Sequence, residues 1–409
     1  MQSMKLIFSS LLSFSIGTAS SQYHIYTDLT NLFGQQIIET QDGGLLLAGG
    51  EDCYTPGSIT IEGCMFALHL VKIDASGDTL WTNRISYAGS FDHIFENTDG
   101  SFSLIGTVSD SWQCENIGIG LFGWPLIQIM NISSHGQKLN EIHLTDECEF
   151  YIADVARMND SLFAVFGIYT KSIQWPIETE GRLFLLKNTG EIQKELIFPG
   201  DNLNKVKLLS NAGNEFKLLY VDTLRHIHMD QYDNQLNLIH QDSTIELQDS
   251  LFLSYYSISD VGQFENGDFG ISFYQRENNL LKYRFFRFDH VLNQISHQLY
   301  YFTNPTNFIE DHHQNIIVCS SYDDPMTNLD LQVHYLDAYG STLYTYNVPY
   351  PEDERPTKIL RISSDQLVIT GNINCCNYND TIGPGKSFIR FESQSMTSVP
   401  EIKSDSLLS

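Results

Sequence analysis

An internal repeat of strand-forming segments constrains the fold of this chain more than any other feature of its sequence. A polar turn between two strand-like runs at 40–49 recurs at 97–106, and weaker copies follow at 159–167, 211–220, 266–273, 312–320 and 364–371. The residues that mark one equivalent position, spaced 47 to 61 residues apart, are Gly49, Gly106, Gly167, Tyr220, Phe273, Ser320 and Gly371. Repeats of this length, built from short strands and tight turns, are typical of β-propeller blades.

Each repeat contains two predicted hairpins and therefore four strands. The first turn often carries Asp-Gly or Asn-Gly, which tolerate the positive φ angles of tight turns. Before the second turn an apolar strand ends in an acid, whose carboxylate we expect to accept hydrogen bonds from turn amides. These acids are Asp74, Asp233, Asp289, Asp337 and Glu392. We predict an all-β, seven-bladed β-propeller of four-stranded antiparallel blades, with an open β-solenoid or two β-sandwiches as alternatives.

The two ends of the repeat region complement each other. The last repeat has three strand-like runs, at 358–362, 366–370 and 387–391, while a spare strand at 23–28 precedes the first repeat. We therefore predict that the N-terminal strand completes the last blade, which closes the ring and hides its edges. The propeller would span residues 22–395, and residues 396–409 would form a C-terminal tail or linker.

The first 21 residues have the pattern of a signal peptide. Lys5 supplies a positive charge, residues 6–16 are largely apolar, and the small residues at 19–21 fit a cleavage site before Gln22. No later apolar run is long enough for a transmembrane segment. We therefore predict a secreted protein, located outside the cell or at its surface.

The charge of the chain restricts its partners. It has 23 basic and 50 acidic residues, a formal net charge of −27. Such a surface repels nucleic acid and anionic lipid, because their binding depends on Lys and Arg neutralising phosphate. Cations, cationic partners and neutral glycans are compatible with this charge, and an alternative is that the charge only keeps a secreted protein soluble. We expect no nucleic-acid partner, a glycan or a protein as the candidate ligand, and a monomer.

Seven cysteines fit an oxidising compartment, although they are too few for a disulfide-dense scaffold. The first two bracket one loop and are the best candidate pair, the next two form a second candidate pair, and the last two are adjacent. The six disulfide candidates are Cys53, Cys64, Cys114, Cys148, Cys375 and Cys376. The adjacent pair could form a vicinal disulfide or two separate bonds. The odd count, with Cys319, leaves at least one thiol unpaired within the chain.

Two segments carry a resemblance to known families. At 42–45 and 72–81 the chain resembles secreted propeller-repeat proteins common in Bacteroidota, over residues 23 to 395. The tail at 398–409 is similar to the linker before a type IX secretion sorting domain, although the domain itself is not present. The segment 74–81 also resembles the tryptophan-docking turn of quinoprotein dehydrogenases, which implies that Trp81 packs between blades. The calcium ligands and cofactor floor of that family have no counterpart, so we predict no cofactor.

Three long connections are the candidate binding region. They lie at 51–63, 109–123 and 372–386, between the second and third strands of units one, two and seven, which adjoin in a closed ring. In or beside them are aromatic residues suited to stacking on sugars or peptide side chains: Tyr54, Trp112, Phe122, Trp124 and Tyr378. An alternative is that these loops only cover blade edges.

No sequence motif indicates catalysis or a metal site. A nucleophile elbow, a zinc-protease motif and a phosphate-binding loop are missing from the sequence. His226, His228 and Asp230 share one face of a predicted strand, but no metal-binding spacing supports them, so we predict no metal. We favour a binding module over two alternatives: a carbohydrate-active enzyme with carboxylates in the central channel, and a passive module.

Overall fold

The structure of the 409-residue chain is a computed structural model. It describes residues 22–30, 32–51, 67–86, 89–110, 124–144, 150–172, 178–199, 206–211, 214–221, 226–243, 256–277, 280–302, 305–323, 329–348, 354–363, 366–373 and 386–393. All regular elements among these residues are β-strands.

The strands follow one another in groups of four. The N-terminal strand and the first three blades are β1 (Gln22–Thr30), β2 (Leu32–Glu39), β3 (Leu45–Glu51), β4 (Ala67–Ile73), β5 (Thr79–Ser86), β6 (Gly89–Glu96), β7 (Phe102–Asp110), β8 (Trp124–Ile132), β9 (Lys138–Leu144), β10 (Phe150–Asn159), β11 (Leu162–Ser172), β12 (Glu178–Lys187) and β13 (Ile192–Pro199). The remaining strands are β14 (Val206–Asn211), β15 (Glu215–Val221), β16 (Ile227–Tyr232), β17 (Leu238–Ser243), β18 (Tyr256–Gln263), β19 (Phe269–Glu277), β20 (Leu280–Phe288), β21 (Gln294–Tyr300), β22 (Phe308–Glu310), β23 (Ile316–Asp323), β24 (Leu329–Leu336), β25 (Thr342–Val348), β26 (Glu354–Arg361), β27 (Gln366–Ile373) and β28 (Lys386–Ser393).

Within the described residues these strands form seven four-stranded sheets. We number the blades 1 to 7 from β2–β5 to β26–β28, and β1 is the outer strand of blade 7. Every pairing is antiparallel, and β1 pairs with β28 so that Gln22 faces Phe391 and His24 faces Ile389. The prediction of an all-β fold with four-stranded antiparallel blades is confirmed, and the N-terminal strand completes the last blade as expected.

The apolar core is divided among the interfaces between blades. Alternating side chains on the two faces of each sheet form seven buried clusters, and each cluster joins two consecutive blades. One of them packs Ile37 and Leu47 of blade 1 against Ile362 and Val368 of blade 7. Because the first and last blades share a core in this way, the ring is closed.

The acids before the second turn of blades 1, 4, 5 and 6 act as predicted. Asp74 Oδ1 accepts hydrogen bonds from the amides two and four residues later, at 2.8 and 2.9 Å. Asp233, Asp289 and Asp337 repeat this pattern. The side chain of Glu392 lies outside the described part of the chain. These carboxylates satisfy turn amides that no strand partner reaches, which stabilises the turn locally.

Trp81 joins blade 1 to blade 2, as the resemblance to a docking turn implied. Its indole Nε1 donates to the carbonyl oxygen of Ser134 at 3.0 Å. The ring lies directly on Gly136, where an added Cβ would stand 2.6 Å from a ring carbon. Gly136 has a φ of 81°, so glycine meets both the conformational and the steric demand of this contact.

In the turns of blades 4 and 5 a different side chain packs at the corresponding interface. At the position of Gly136 they carry Leu236 and Leu292, with φ angles of 53° and 62°. Both leucines are 3% exposed and pack into the clusters with the preceding blade. Here the turn itself supplies the bulky group that Trp81 supplies from blade 1.

Candidate functional site

The long connections lie on three consecutive blades. In blades 1, 2 and 7 the second and third strands are separated by residues 52–66, 111–123 and 374–385. In blades 3 to 6 the same junction spans only 173–177, 222–226, 278–279 and 324–328. Since equivalent junctions of an antiparallel blade open on the same face, the three long connections start and end on one face of the ring. We call this region the rim.

The predicted rim side chains fall outside the described residues. This holds for Tyr54, Trp112, Phe122 and Tyr378, and for the disulfide candidates Cys53, Cys64, Cys114, Cys148, Cys375 and Cys376. Trp124 is the first residue of β8, where its backbone pairs with Asp110, but its side chain is also outside the described set. Cys319, the remaining cysteine, is buried in the cluster between blades 6 and 7.

The centre of the molecule contains a set of polar residues that the sequence reasoning missed. The first strands of successive blades contact one another around the ring. Each blade contributes one residue, thirteen positions before the repeat marker. In blades 1, 2, 3, 5 and 7 it is the first residue to pair with the second strand after a register shift. We call these seven residues the channel ring: Gln36, His93, Asp154, Lys207, Asp260, Asn307 and Lys358. Unlike the turn acids, they have no common residue type, so repeat matching passes over them.

Three members of the channel ring bond to the backbone of the next blade. Asp154 Oδ2 accepts the amide N–H of Leu208 at 2.7 Å, and Asp260 Oδ2 accepts that of Phe308 at 3.1 Å. Asn307 both accepts from the N–H and donates to the carbonyl oxygen of Ile359, each at 2.8 Å. Each side chain therefore links the first strands of two blades.

Two further contacts within the channel ring are between side chains. His93 Nε2 lies 3.5 Å from Asp154 Oδ1, across the interface of blades 2 and 3. Lys358 Nζ donates to Gln36 Oε1 at 2.6 Å, across the interface where blade 7 meets blade 1. Hydrogen bonds therefore close the propeller at its centre, between blades 7 and 1, as well as at the outer strand of blade 7.

A second set of polar contacts lies three residues further along the first strands. Glutamates of blades 1, 2 and 6 accept an amide N–H from the first turn of the preceding blade. The donors and acceptors are Ser363 with Glu39, Gln41 with Glu96 and Glu265 with Glu310, at N–O distances of 2.9, 2.6 and 2.7 Å. Successive blades are therefore joined at two levels of the centre.

The charges of the channel ring offset each other. Asp154 and Asp260 raise the pKa of Lys207, while burial lowers the pKa of Lys358. Burial raises the pKa of Asp260 to about 6, against the opposing charge of Lys207. Burial also lowers the pKa of His93 to about 4, so its imidazole is neutral near pH 7 despite the neighbouring Asp154.

This arrangement suits the joining of blades better than acid–base chemistry in the channel. The channel-ring carboxylates of Asp154 and Asp260 are committed to backbone N–H groups and to nearby ammonium groups. A carbohydrate-active centre would need a pair of carboxylates free to face substrate. The channel ring also contains no Arg or Tyr to support such a pair.

The histidine pair considered for a metal has other contacts. His226 and His228 have ring centroids 6.2 Å apart, and His228 stacks on Tyr220 at 4.8 Å. Asp230 Oδ2 accepts hydrogen bonds from Tyr220 and Tyr232, at 3.3 and 3.4 Å. Across the residues that the structure describes, no three His, Cys, Asp or Glu side chains come together as metal ligands.

Solved structures are similar to this chain at low sequence identity. No family model and no curated protein matches the sequence. Among solved structures, one similar chain belongs to the crystal structure of BBS1N in complex with ARL6DN, soaked with lead. Its TM-score is 0.44 at 11% identity, covering 88% of this chain and 92% of that chain. A chain from the same complex soaked with mercury has a TM-score of 0.48 at 9% identity, covering 90% and 94%.

The class of the protein follows from its own sheet order. Four-stranded antiparallel sheets that follow one another around a closed ring define a β-propeller. In the described part of the chain there is no helix of the length and apolarity needed to cross a membrane.

Proposed function

We propose that this protein is a secreted β-propeller binding module that recognises a neutral glycan or a protein through the rim of blades 7, 1 and 2. The observation that carries this proposal is the placement of the three longest second-to-third-strand connections on consecutive blades and on one face. Loops held side by side by a rigid scaffold commonly carry binding residues. The aromatic residues of these segments suit stacking on sugar rings or peptide side chains.

The centre of the ring supports binding rather than catalysis. Asp154 and Asp260 hold neighbouring blades together, so the central carboxylates have a structural role. Such bonds favour a rigid scaffold, and rigid scaffolds reduce the conformational entropy lost when a ligand binds. The rim then remains the region best placed to contact a partner.

Ligand binding by the rim is tested with an aromatic double variant. Residues 22–409 are screened against an oligosaccharide panel and against extracellular proteins, and each ligand found is titrated against Trp112→Ala/Trp124→Ala. We expect affinity to fall by about tenfold or more, since buried aromatic anchors dominate many interfaces. Tyr339→Ala, at an exposed turn of blade 6, is the matched control and should leave affinity unchanged. Unchanged affinity in the double variant would place the ligand elsewhere.

Secretion is tested separately. We propose that residues 1–21 are removed on export and that the mature protein begins at Gln22, the first residue of β1. N-terminal sequencing of protein recovered from outside the producing cells should read Gln-Tyr-His-Ile. Recovery of the chain only from inside the cells, with residues 1–21 retained, would contradict export.

A further inference from the structure

The interface between blades 4 and 5 lacks the docking side chain found between blades 1 and 2. Trp81 is the first residue of β5 to pair with the third strand after a register shift, opposite Lys72. His240 has the same place in β17, opposite Gln231. Instead of reaching the turn of blade 5, its imidazole lies 3.0 Å from Asp242 in its own strand, and the side chain is 59% exposed.

Beside His240, an open cleft of about 210 Å³ lies between the two blades. Blade 4 contributes Lys217, Met229 and Asp242 to its walls, with His240 beside them. The turn of blade 5 contributes His290 and Val291. With Gln231, the cleft therefore combines one ammonium group, one carboxylate held by the imidazole of His240, a second imidazole and an amide with a thioether and an aliphatic side chain.

Lys217 is an unusual residue for its position in the repeat. Its six counterparts, three residues before each repeat marker, are Leu46, Ser103, Ala164, Gly270, Ile317 and Val368, all uncharged. Its Nζ lies 4.7 Å from the ring centroid of Phe269 in blade 5. Burial lowers the pKa of Lys217, against the opposing charge of Asp242. Within the described residues it forms this cation–π contact and no ion pair.

We propose that this cleft binds a small organic anion, a carboxylate on a short apolar body, with Lys217 as the charged anchor. The ammonium and imidazole N–H groups are donors for carboxylate oxygens, and such charge-assisted bonds are stronger than neutral ones. Met229 and Val291 offer apolar contact to the body of the ligand. Asp242 is engaged by His240, whereas the ammonium of Lys217 forms no ion pair within the described residues. In a chain of net charge −27, such an ammonium in a partly enclosed cleft is a local exception that favours an anion.

The size of the cleft limits the ligand. It is smaller than the roughly 300–1,000 Å³ of sites for drug-sized molecules, so a short-chain carboxylate fits better than an oligosaccharide. The cleft is also independent of the rim, which lies on blades 7, 1 and 2. Binding of an anion here would add a second ligand to the proposed rim ligand.

Butyrate and its neutral analogue butyramide test the proposal. The full mature chain, with histidine ring carbons labelled, is titrated with each compound and followed by NMR. We expect butyrate to bind in the millimolar range, typical of so small a ligand, and to shift the signals of His240 and His290. Butyramide should not bind. Equal binding of the two compounds, or no shift with about 50 mM butyrate, would overturn the proposal.

Variants test whether Lys217, rather than any surface lysine, binds the carboxylate. Lys217→Leu introduces the residue that blade 1 accommodates at Leu46, and Lys217→Met is a second variant that keeps a long side chain. Both should weaken butyrate binding by about tenfold, a loss of about 1.4 kcal/mol, while the melting temperature does not fall. Lys194→Leu removes a lysine between blades 3 and 4 and should leave binding intact. Unchanged butyrate affinity in both Lys217 variants would show that Lys217 is not the anchor.

Discussion

Neighbouring blades are joined by different physical means at the perimeter of the molecule and at its centre. At the perimeter, a side chain of one blade packs on the second turn of the next, as Trp81 packs on Gly136. At the centre, the channel ring joins blades through hydrogen bonds, such as that of Lys358 to Gln36, and through opposed charges, such as those of Lys207 and Asp154. Packing depends on shape and changes little with pH, whereas the central contacts depend on protonation.

The perimeter contacts can be satisfied from either side of an interface. A glycine in the turn accepts a bulky group from the preceding blade, whereas Leu236 and Leu292 fill the space from the turn itself. A left-handed backbone costs a leucine about 1–2 kcal/mol, and full burial of its side chain gives about 1.5–3 kcal/mol. Burial therefore offsets the backbone strain, and these positions can depart from glycine.

Gly136→Ala should produce the largest effect on the perimeter. The new Cβ would meet the Trp81 ring at 2.6 Å and would also occupy a left-handed conformation. We expect a loss of about 3–4 kcal/mol in the free energy of unfolding, measured by urea denaturation, from strain and overpacking together. Gly267→Ala is the control, because its φ of 89° is similar but no atom lies within 4 Å. It should lose only about 1–2 kcal/mol. Equal losses would show that the Trp81 contact has no energetic weight.

Trp81→Ala should have the next largest effect. The indole is partly buried, so its truncation should cost about 2–3 kcal/mol, below the usual range for a fully buried aromatic residue. In this background Gly136→Ala should cost only its backbone strain, which a double-mutant cycle measures. Additive effects of the two substitutions would show that Trp81 and Gly136 do not interact energetically, which would contradict the docking contact. The loss should be the same at pH 7 and pH 5.

His93→Gln tests the pH dependence of the channel ring. The pKa of His93 is about 4 in the folded protein and near 6.5 when unfolded, so only the unfolded chain takes up a proton between these values. Its contribution to stability is therefore lost as pH falls from 6.5 towards 4. Between pH 7 and 4.5 the wild type should lose about 2 kcal/mol more than His93→Gln, measured by urea denaturation. The substitution introduces the residue that blade 1 carries at Gln36.

Asp260→Asn should change the pH profile in the opposite direction. The pKa of Asp260 is raised to about 6, so the folded protein binds a proton more readily than the unfolded chain between about pH 6 and 4. Acidification across that window therefore adds stability through Asp260, and the asparagine variant loses this gain. The variant should lose more stability than the wild type between pH 7 and 4.5. If the variant and the wild type had the same pH dependence of stability, protonation of Asp260 would not contribute to the stability of the protein.

Leu292→Gly should have the smallest effect, because the lost burial of the side chain is partly offset by relief of backbone strain. The variant loses the burial of a 3% exposed side chain but relieves a left-handed backbone at a φ of 62°. We expect a net loss of about 1 kcal/mol in unfolding free energy. Leu238→Gly, at an exposed position of β17, reports the cost of glycine in a strand without burial. A loss above about 3 kcal/mol would show that burial far outweighs strain at this turn.

The hydrogen bonds of the second turns could be predicted from the sequence, because they join residues close together in the chain. Asp74 bonds to amides two and four residues away, so the same short pattern recurs wherever the turn recurs. The spare strand at 23–28 and the missing strand of the last repeat also predicted the pairing of β1 with β28. The tryptophan contact was implied by a resemblance, but its partner Gly136 was not, since it lies in the next repeat.

The channel ring could not be predicted from the sequence in this way. Its seven residues differ in type, so no motif marks them, and Asp154 meets Leu208 only because blades 3 and 4 adjoin. The cleft at Lys217 was missed for a related reason. A lysine at a repeat position that is otherwise uncharged becomes informative only when the cleft beside it, with His240 at the place of Trp81, is known.

The sequence by itself determined the all-β fold, the four-stranded blade, the turn chemistry and the closure by the N-terminal strand. These depend on backbone geometry and on hydrophobic alternation within one repeat, which a linear pattern records. Only the tertiary structure decided which side chains meet between blades, including the balanced charges at the centre and the contact of Lys217 in blade 4 with Phe269 in blade 5. Those contacts join residues about one repeat apart in the chain, and their energies depend on burial and charge that arise only when the ring has closed.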